Sequence, residues 1–323
     1  VIPYYDADKT LNSIMKNILE KSKKYSKKSK QQHNLSSWIE FLSGNKELSG
    51  KIKDIFGYDS EMSVMNAYDA LLSFERDFIS KQYYIIQEGY SELCNRIYNK
   101  YSSKKNIYFS NNTFIQDIVK KGDCYSLIRD NGEHFDGTHV LCAVKAEHLR
   151  QFSIMKNIIK YISSVHSAPL LRVYAKYPLK DGKVWFHDMP KIVTNAIIRQ
   201  IIPIDEASGL IMISYIDGND LDPFWKNKEK KVLKNDDMIQ KMIERCLKQL
   251  FPAITIPKPT FFKTHLWEIG CHHWKPKYDS SKIGKQIQNP CKNAYVIGEA
   301  FSQKQAWVEG ALETAKDIID NCL

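Results

Sequence analysis

The sheet-forming pattern of this chain switches twice along its length, which restricts the architectures open to it. Over residues 9–78 apolar side chains repeat at helical spacing, first Leu11, Ile14, Met15, Ile18 and Leu19, then Trp38, Ile39, Phe41 and Leu42, then Met65, Tyr68, Leu71 and Leu72. Several helices in series are predicted, with the lysine-rich run 21–30 as a solvated helix end or loop. The character then changes. Residues 83–86 are β-prone, Glu88-Gly89 makes a turn, and 91–98 return to helical spacing. Short strands are predicted at 107–109, 114–119, 124–128 and 139–144, with Asn131-Gly132 as a hairpin-type turn between the last two. A second, antiparallel sheet is predicted from 170–177, 192–202 and 210–215, with turns at Asp181-Gly182 and Ser208-Gly209. An amphipathic helix over 236–250 stops before Pro252, and a strand-like stretch covers 260–267. A short apolar strand at 294–297 then runs through Gly298 into a helix ending near Cys322. This pattern predicts a mixed α/β (α+β) fold of two interleaved, discontinuous domains.

Composition narrows the function. With 43% hydrophobic residues among 323, the chain can fill a large core. It has no run of eighteen apolar residues and no charged-then-apolar start, so neither a membrane span nor a secretory signal is predicted. The net charge is +10, yet only seven of the 47 basic residues are Arg, the residue that reads phosphates and bases bidentately. A solvated basic face is expected in place of a specific nucleic-acid site. Seven cysteines (Cys94, Cys124, Cys142, Cys246, Cys271, Cys291 and Cys322) include no CxxC pair and cannot all pair within one chain. Reduced thiols in a cytoplasmic or other reducing compartment are expected. The chain begins at Val1 and not at Met, which predicts that an upstream segment has been removed or left out.

The segment 294–319 carries the most chemistry. A short apolar strand (Tyr295, Val296, Ile297) delivers Gly298, where a ligand or another backbone can approach closely, and a helix begins a few residues later. Amides near Trp307 and Val308, with the helix dipole behind them, would favour negative charge. Small residues at Gly310, Ala311 and Ala315 would let that helix pack tightly. The pair Gly298-Glu299 followed by Trp307-Val308-Glu309-Gly310-Ala311 resembles the C-terminal flavin motif of the FAD-dependent amine oxidase family, which includes monoamine, polyamine and L-amino-acid oxidases.

Further segments resemble that family in the same order. Residues 85–93 (IIQEGYSEL) look like its strand, glycine turn and helix, with Glu88 in place of the first of two glycines. Residues 107–115 resemble its strand pair whose backbone, near Phe114, meets the adenine. Residues 139–149 (HVLCAVKAEHL) resemble its VPLxxL-like strand, with Lys145-Ala146 where Pro-Leu is usual. Residues 172–177 (RVYAKY) look like its strand bearing an active-site lysine. The resemblance covers residues 83–323, with the first 80 in the place of a variable substrate-domain insert. It implies a helical part of a substrate domain over 1–83, an FAD-binding segment over 84–150, a substrate domain with an antiparallel sheet over 151–268, and a second FAD-binding segment over 269–323.

The resemblance also implies roles. Lys176 would hold a water against flavin N5, Trp307 would be one wall of an aromatic cage, and His272 would stand in the place of the cage tyrosine. Phe114, Gly298, Glu299, Trp307, Val308 and Cys271 would line the FAD, with Glu299 reaching a ribityl hydroxyl or an upstream loop. Cys271 falls where some relatives attach flavin through sulfur, although an ordinary free thiol is the expected state. The neighbouring Cys271, His272 and His273 have no second ligand pair at metal spacing, so no metal is expected. The implied reaction is oxidative deamination of a small-molecule amine, with hydride transfer to N5 and release of hydrogen peroxide. No GxGxxG occurs in these 323 residues; in the family that turn precedes everything present here. A second expectation follows from the departures, a catalytically inactive member with a structural or binding role, as a homo-oligomer or in an assembly such as a virus particle.

Overall fold

Apolar side chains gather in three cores in the computed structural model, which describes residues 2–78 and 86–322. The first core is helical, built by Tyr4–Ser22, Leu35–Ser43, Lys46–Phe56 and Ala67–Ser73. Asn34, Asn45 and Asn66 start three of these helices, their side-chain oxygens accepting the N–H of Ser37, Glu47 and Asp69. The helical spacing converges as expected: Met15, Trp38, Ile39, Ile52 and Met62 are fully buried, and the Trp38 indole N–H donates to Ser22 Oγ at 2.9 Å. The lysine-rich run does interrupt the helix, which stops at Ser22 before a one-turn helix, Lys27–Gln31, capped by Ser26.

The second core lies under a six-stranded antiparallel sheet with spatial order Ile2–Pro3, Ile192–Val193, Gln200–Asp205, Leu210–Asp217, Val165–Lys176 and Phe261–Trp274. Alternation sends Leu171, Val173 and Ala175 inward and leaves Arg172, Tyr174 and Lys176 on the other face. The helix Asp236–Leu250 closes this core with Ile239, Ile243, Cys246 and Leu247. Two expectations are corrected here. Residues 192–202 form two strands, because the chain turns between them: Thr194 Oγ1 accepts the Ala196 N–H, and Arg199 takes a left-handed φ of 55°. The strand predicted at 260–267 runs on to Trp274, with a register irregularity between Trp267 and Cys271.

The third core draws on residues from two separated stretches, 115–165 and 274–301. Val140–Cys142 pairs in parallel with Ala294–Val296, and a meander of Ile115–Lys121, Cys124–Arg129 and His134–Gly137 stands beside them. The Asn131-Gly132 turn therefore leads into His134–Gly137 and not into the strand at Val140, which belongs to a different sheet. Residues 107–109 form no strand: their backbone has no ladder partner and Tyr108 is 89% exposed. Residues 83–85 of the predicted strand before Gly89 lie outside the described residues, and the expected helix follows as Tyr90–Tyr101. The fold is thus mixed α/β, with discontinuous helices and sheets. Among the described residues no helix is long and apolar enough to cross a membrane.

Candidate functional site

The helical core, one face of the antiparallel sheet and the loop after Gly298 enclose a cavity of about 530 Å³. Its apolar wall is Leu11, Ile55, Phe56, Leu170 and Ile202, and Tyr58 and Tyr215 meet edge to face across it at 5.4 Å. Asp8, Glu61, Arg172, Lys191 and Asp217 bring charge to it; Gly270, Cys271, Ala306 and Trp307 complete it.

Trp307 reaches the cavity because the loop before it is anchored at both ends. The Trp274 amide donates to Gln305 Oε1 at 2.7 Å and its indole N–H to the Ser302 carbonyl at 2.8 Å, while Gln305 Nε2 donates to the Ala300 carbonyl at 2.6 Å. The helix Val308–Cys322 then starts against this loop. Gly310 is required there, since a Cβ would lie 2.3 Å from the Lys304 carbonyl oxygen.

Strand alternation separates the neighbours at the bulge. Cys271 faces the cavity; its thiol is held neutral, with a pKa well above 9, by burial and by the charges of Glu61 and Asp217. A neutral thiol is a poor nucleophile. His272 points the other way and lies outside the cavity lining. It is 3% exposed, its Nδ1 lies 2.5 Å from Glu299 Oε1, and its Nε2 faces Glu147 Oε2 at 3.7 Å. Burial opposes a charge on this ring, but the two carboxylates outweigh it and carry its pKa up to about 9. Glu147 is held down to about 2, since His272 and the Ser167 hydroxyl prevail over its own burial. The other oxygen of Glu299 accepts the Ala306 N–H at 3.0 Å, so this carboxylate ties the cavity loop to the sheet.

The remaining expected residues divide. Gly298 adopts a φ of 123°, and no atom lies within 4 Å of where a Cβ would stand. Val308 begins the helix and is 48% exposed, outside the cavity lining. Phe114 is 51% exposed beside the meander, its carbonyl accepting the Asp130 N–H at 3.3 Å. Lys176 is exposed at the end of its strand, on the same face as Arg172 but four residues along, about 13 Å away at the rise of a strand. Arg172 takes the cavity position on that strand.

Sequence reasoning did not single out Glu61, Lys191, Tyr215 or Asp217. Burial and the neighbouring Asp217 push Glu61 up to about 8; burial pushes Asp217 up to about 6 against hydrogen bonds from Ser60 and Asp59. Burial pulls Lys191 down to about 8, opposed by Asp8. The one signal available was Asp217-Gly218, a carboxylate at the end of an apolar strand before a turn.

No curated protein matches the chain. The family model described as flavin containing amine oxidoreductase matches residues 7–318, which take in all three cores and every residue around the cavity. The match also extends the resemblance back through the helical segment that forms one wall. The chain therefore belongs to the flavin-containing amine oxidoreductase family.

Proposed function

We propose that this protein oxidises an amine at the cavity, hydride leaving the carbon that bears nitrogen and water then hydrolysing the imine. The observation that carries this reading is that Trp307, delivered by the strand, glycine and helix after residue 294, lines the same space as Arg172, Tyr215 and Cys271 of the antiparallel sheet. The residues present fit the ring end of an FAD. The open side of Gly298 admits a flat ligand to the backbone, and the N-terminal turn of Val308–Cys322 offers amides and a positive dipole end beside it. The glycine-rich turn that seats a pyrophosphate is not among these 323 residues. When bound, the flavin supplies the hydride acceptor and, through oxygen, hydrogen peroxide.

The side chains supply alignment and a place for a proton. Tyr58, Tyr215 and Trp307 give aromatic surfaces that exclude water and orient the amine. Burial raises the pKa of both Glu61 and Asp217, and the neighbouring Asp217 raises Glu61 further. A carboxylate whose proton affinity is raised in this way can hold the proton an ammonium group must give up before its carbon loses hydride. The test is optical. Protein supplied with FAD should hold a flavin band that bleaches under nitrogen when an amine is added, and should form peroxide in air. Protein that takes up no flavin, or bound flavin that no amine or amino acid bleaches, overturns the reading.

A further inference from the structure

We infer that Lys191 is a nucleophilic amine in the cavity wall, placed to capture an apolar aldehyde or ketone reversibly as an imine. The capture needs only this side chain and the cavity; that the captured carbonyl compound is the product of turnover rests on the amine-oxidising reading above.

The fold aims this lysine inward. It stands directly before the short strand Ile192–Val193, whose register sets Ile192 against Ile201. Both isoleucines are buried in the second core. Alternation therefore turns the residues one step outside that pair, Lys191 and Ile202, to the opposite face, and both line the cavity. From the helix Tyr4–Ser22, Asp8 and Leu11 stand three residues apart on one side and line the same space. The remaining charged groups of the lining are Glu61, Arg172 and Asp217, and the rest of the wall is largely apolar.

This placement has a chemical consequence. Burial pulls the Lys191 ammonium down to about 8 from an ordinary 10.5, with Asp8 opposing the shift. At neutral pH that leaves on the order of a hundredfold more neutral amine than an ordinary lysine holds. The neutral form has the lone pair that attacks carbon, and desolvation in an apolar pocket is one of the ways proteins activate a lysine. The Asp8 charge that opposes the shift would equally favour the cation formed by capture. Asp8 is itself held in place, accepting the Asn12 side-chain N–H at 2.9 Å.

The step balances without an oxidant. The Lys191 nitrogen bonds to the carbonyl carbon as the C=O π pair moves to oxygen, which takes the proton that the nitrogen sheds. A second proton lets this oxygen leave as water, and the nitrogen lone pair closes the C=N bond. Amine, carbonyl compound and one proton thus give iminium and water, and water reverses the reaction. An amine or a carboxylic acid offers Lys191 no such carbon. A carbonyl compound does, and the wall of Leu11, Ile55, Phe56 and Ile202 favours an aryl or alkyl one.

Reductive trapping on the full chain supplied with FAD tests this, with benzaldehyde as the probe, sodium cyanoborohydride to fix the imine, and peptide mass spectrometry to locate it. Near neutral pH, Lys191 should be labelled at least about tenfold faster than any other lysine, exposed Lys176 included. Its rate should also saturate as benzaldehyde is raised, because binding in the cavity precedes attack, while surface lysines respond linearly. Lys191→Met and Lys191→Arg should both lose the fast label and leave the slow ones unchanged, with circular dichroism melting to identify a variant that folds. Label on Lys191 no faster than on exposed lysines, a rate that never saturates, or a fast label that survives in a folded variant would overturn the inference. Because trapping needs no turnover, the two readings fail separately. Fast label on Lys191 in a protein whose flavin no amine bleaches counts against oxidation alone, and bleaching without fast label counts against capture alone.

Discussion

A side chain's neighbours decide what it does, and two pairs of residues make the point. Trp307 and Lys176 stood together as expected catalytic residues, yet one lines the cavity and the other stands exposed about 13 Å beyond Arg172. Trp307→Ala should therefore slow amine-dependent flavin bleaching by about tenfold or more through lost alignment, while Lys176→Met leaves the rate unchanged; stopped-flow absorbance measures both. Cys271 and His272 are adjacent but face opposite ways, and only the histidine is charged. Its pKa is raised from 6.5 to about 9 on folding, so its stabilisation is complete below about pH 6.5 and is lost as pH rises through 9. His272→Gln should melt about 3 °C or more below the unmodified protein at pH 6, with the gap closing by pH 9.5. A gap that stays constant with pH would show that the ring acts by packing alone.

Elements whose pattern is internal were legible in the sequence; elements defined by a partner were not. The helix Asp236–Leu250 is legible in the sequence, because its 3.6-residue period and terminating Pro252 are both local. Residues 107–109 have the composition of a strand but no neighbour to bond, and 139–144 pair with a segment near the far end of the chain, so composition could not place either. The site divides the same way. Trp307 and Cys271 were found through motif positions, whereas Glu61 enters the wall only because Asp217, far along the chain, fixes its short helix. The contact of the last helix with its preceding loop yields an element-scale prediction. Gly310→Ala puts a methyl group against the Lys304 carbonyl, and overpacking of this kind costs about 1–3 kcal/mol. Urea melts should show that loss together with weaker ligand binding, because the displaced loop carries Trp307.

At the scale of the whole molecule, the cavity exists only where separately built parts meet: a helical wall, a sheet face and a loop held by the third core. The strand Phe261–Trp274 serves all of them. Its first half lies in the antiparallel sheet, Gly270 and Cys271 line the cavity, and Trp274 is fully buried in the third core, its carbonyl accepting the Asn66 N–H of the helical segment at 2.8 Å. Its partner, Val165–Lys176, lies about a third of the chain earlier, so the central ladder closes only after a long intervening stretch has been made and ordered. Loop-closure entropy makes such a ladder slow to form. The helical bundle should regain far-ultraviolet ellipticity early in refolding, while fluorescence from buried Trp274 and ligand binding return together and late. During synthesis the first 250 residues have no completed cavity to occupy, so a ligand can rescue this protein only after its last quarter has emerged.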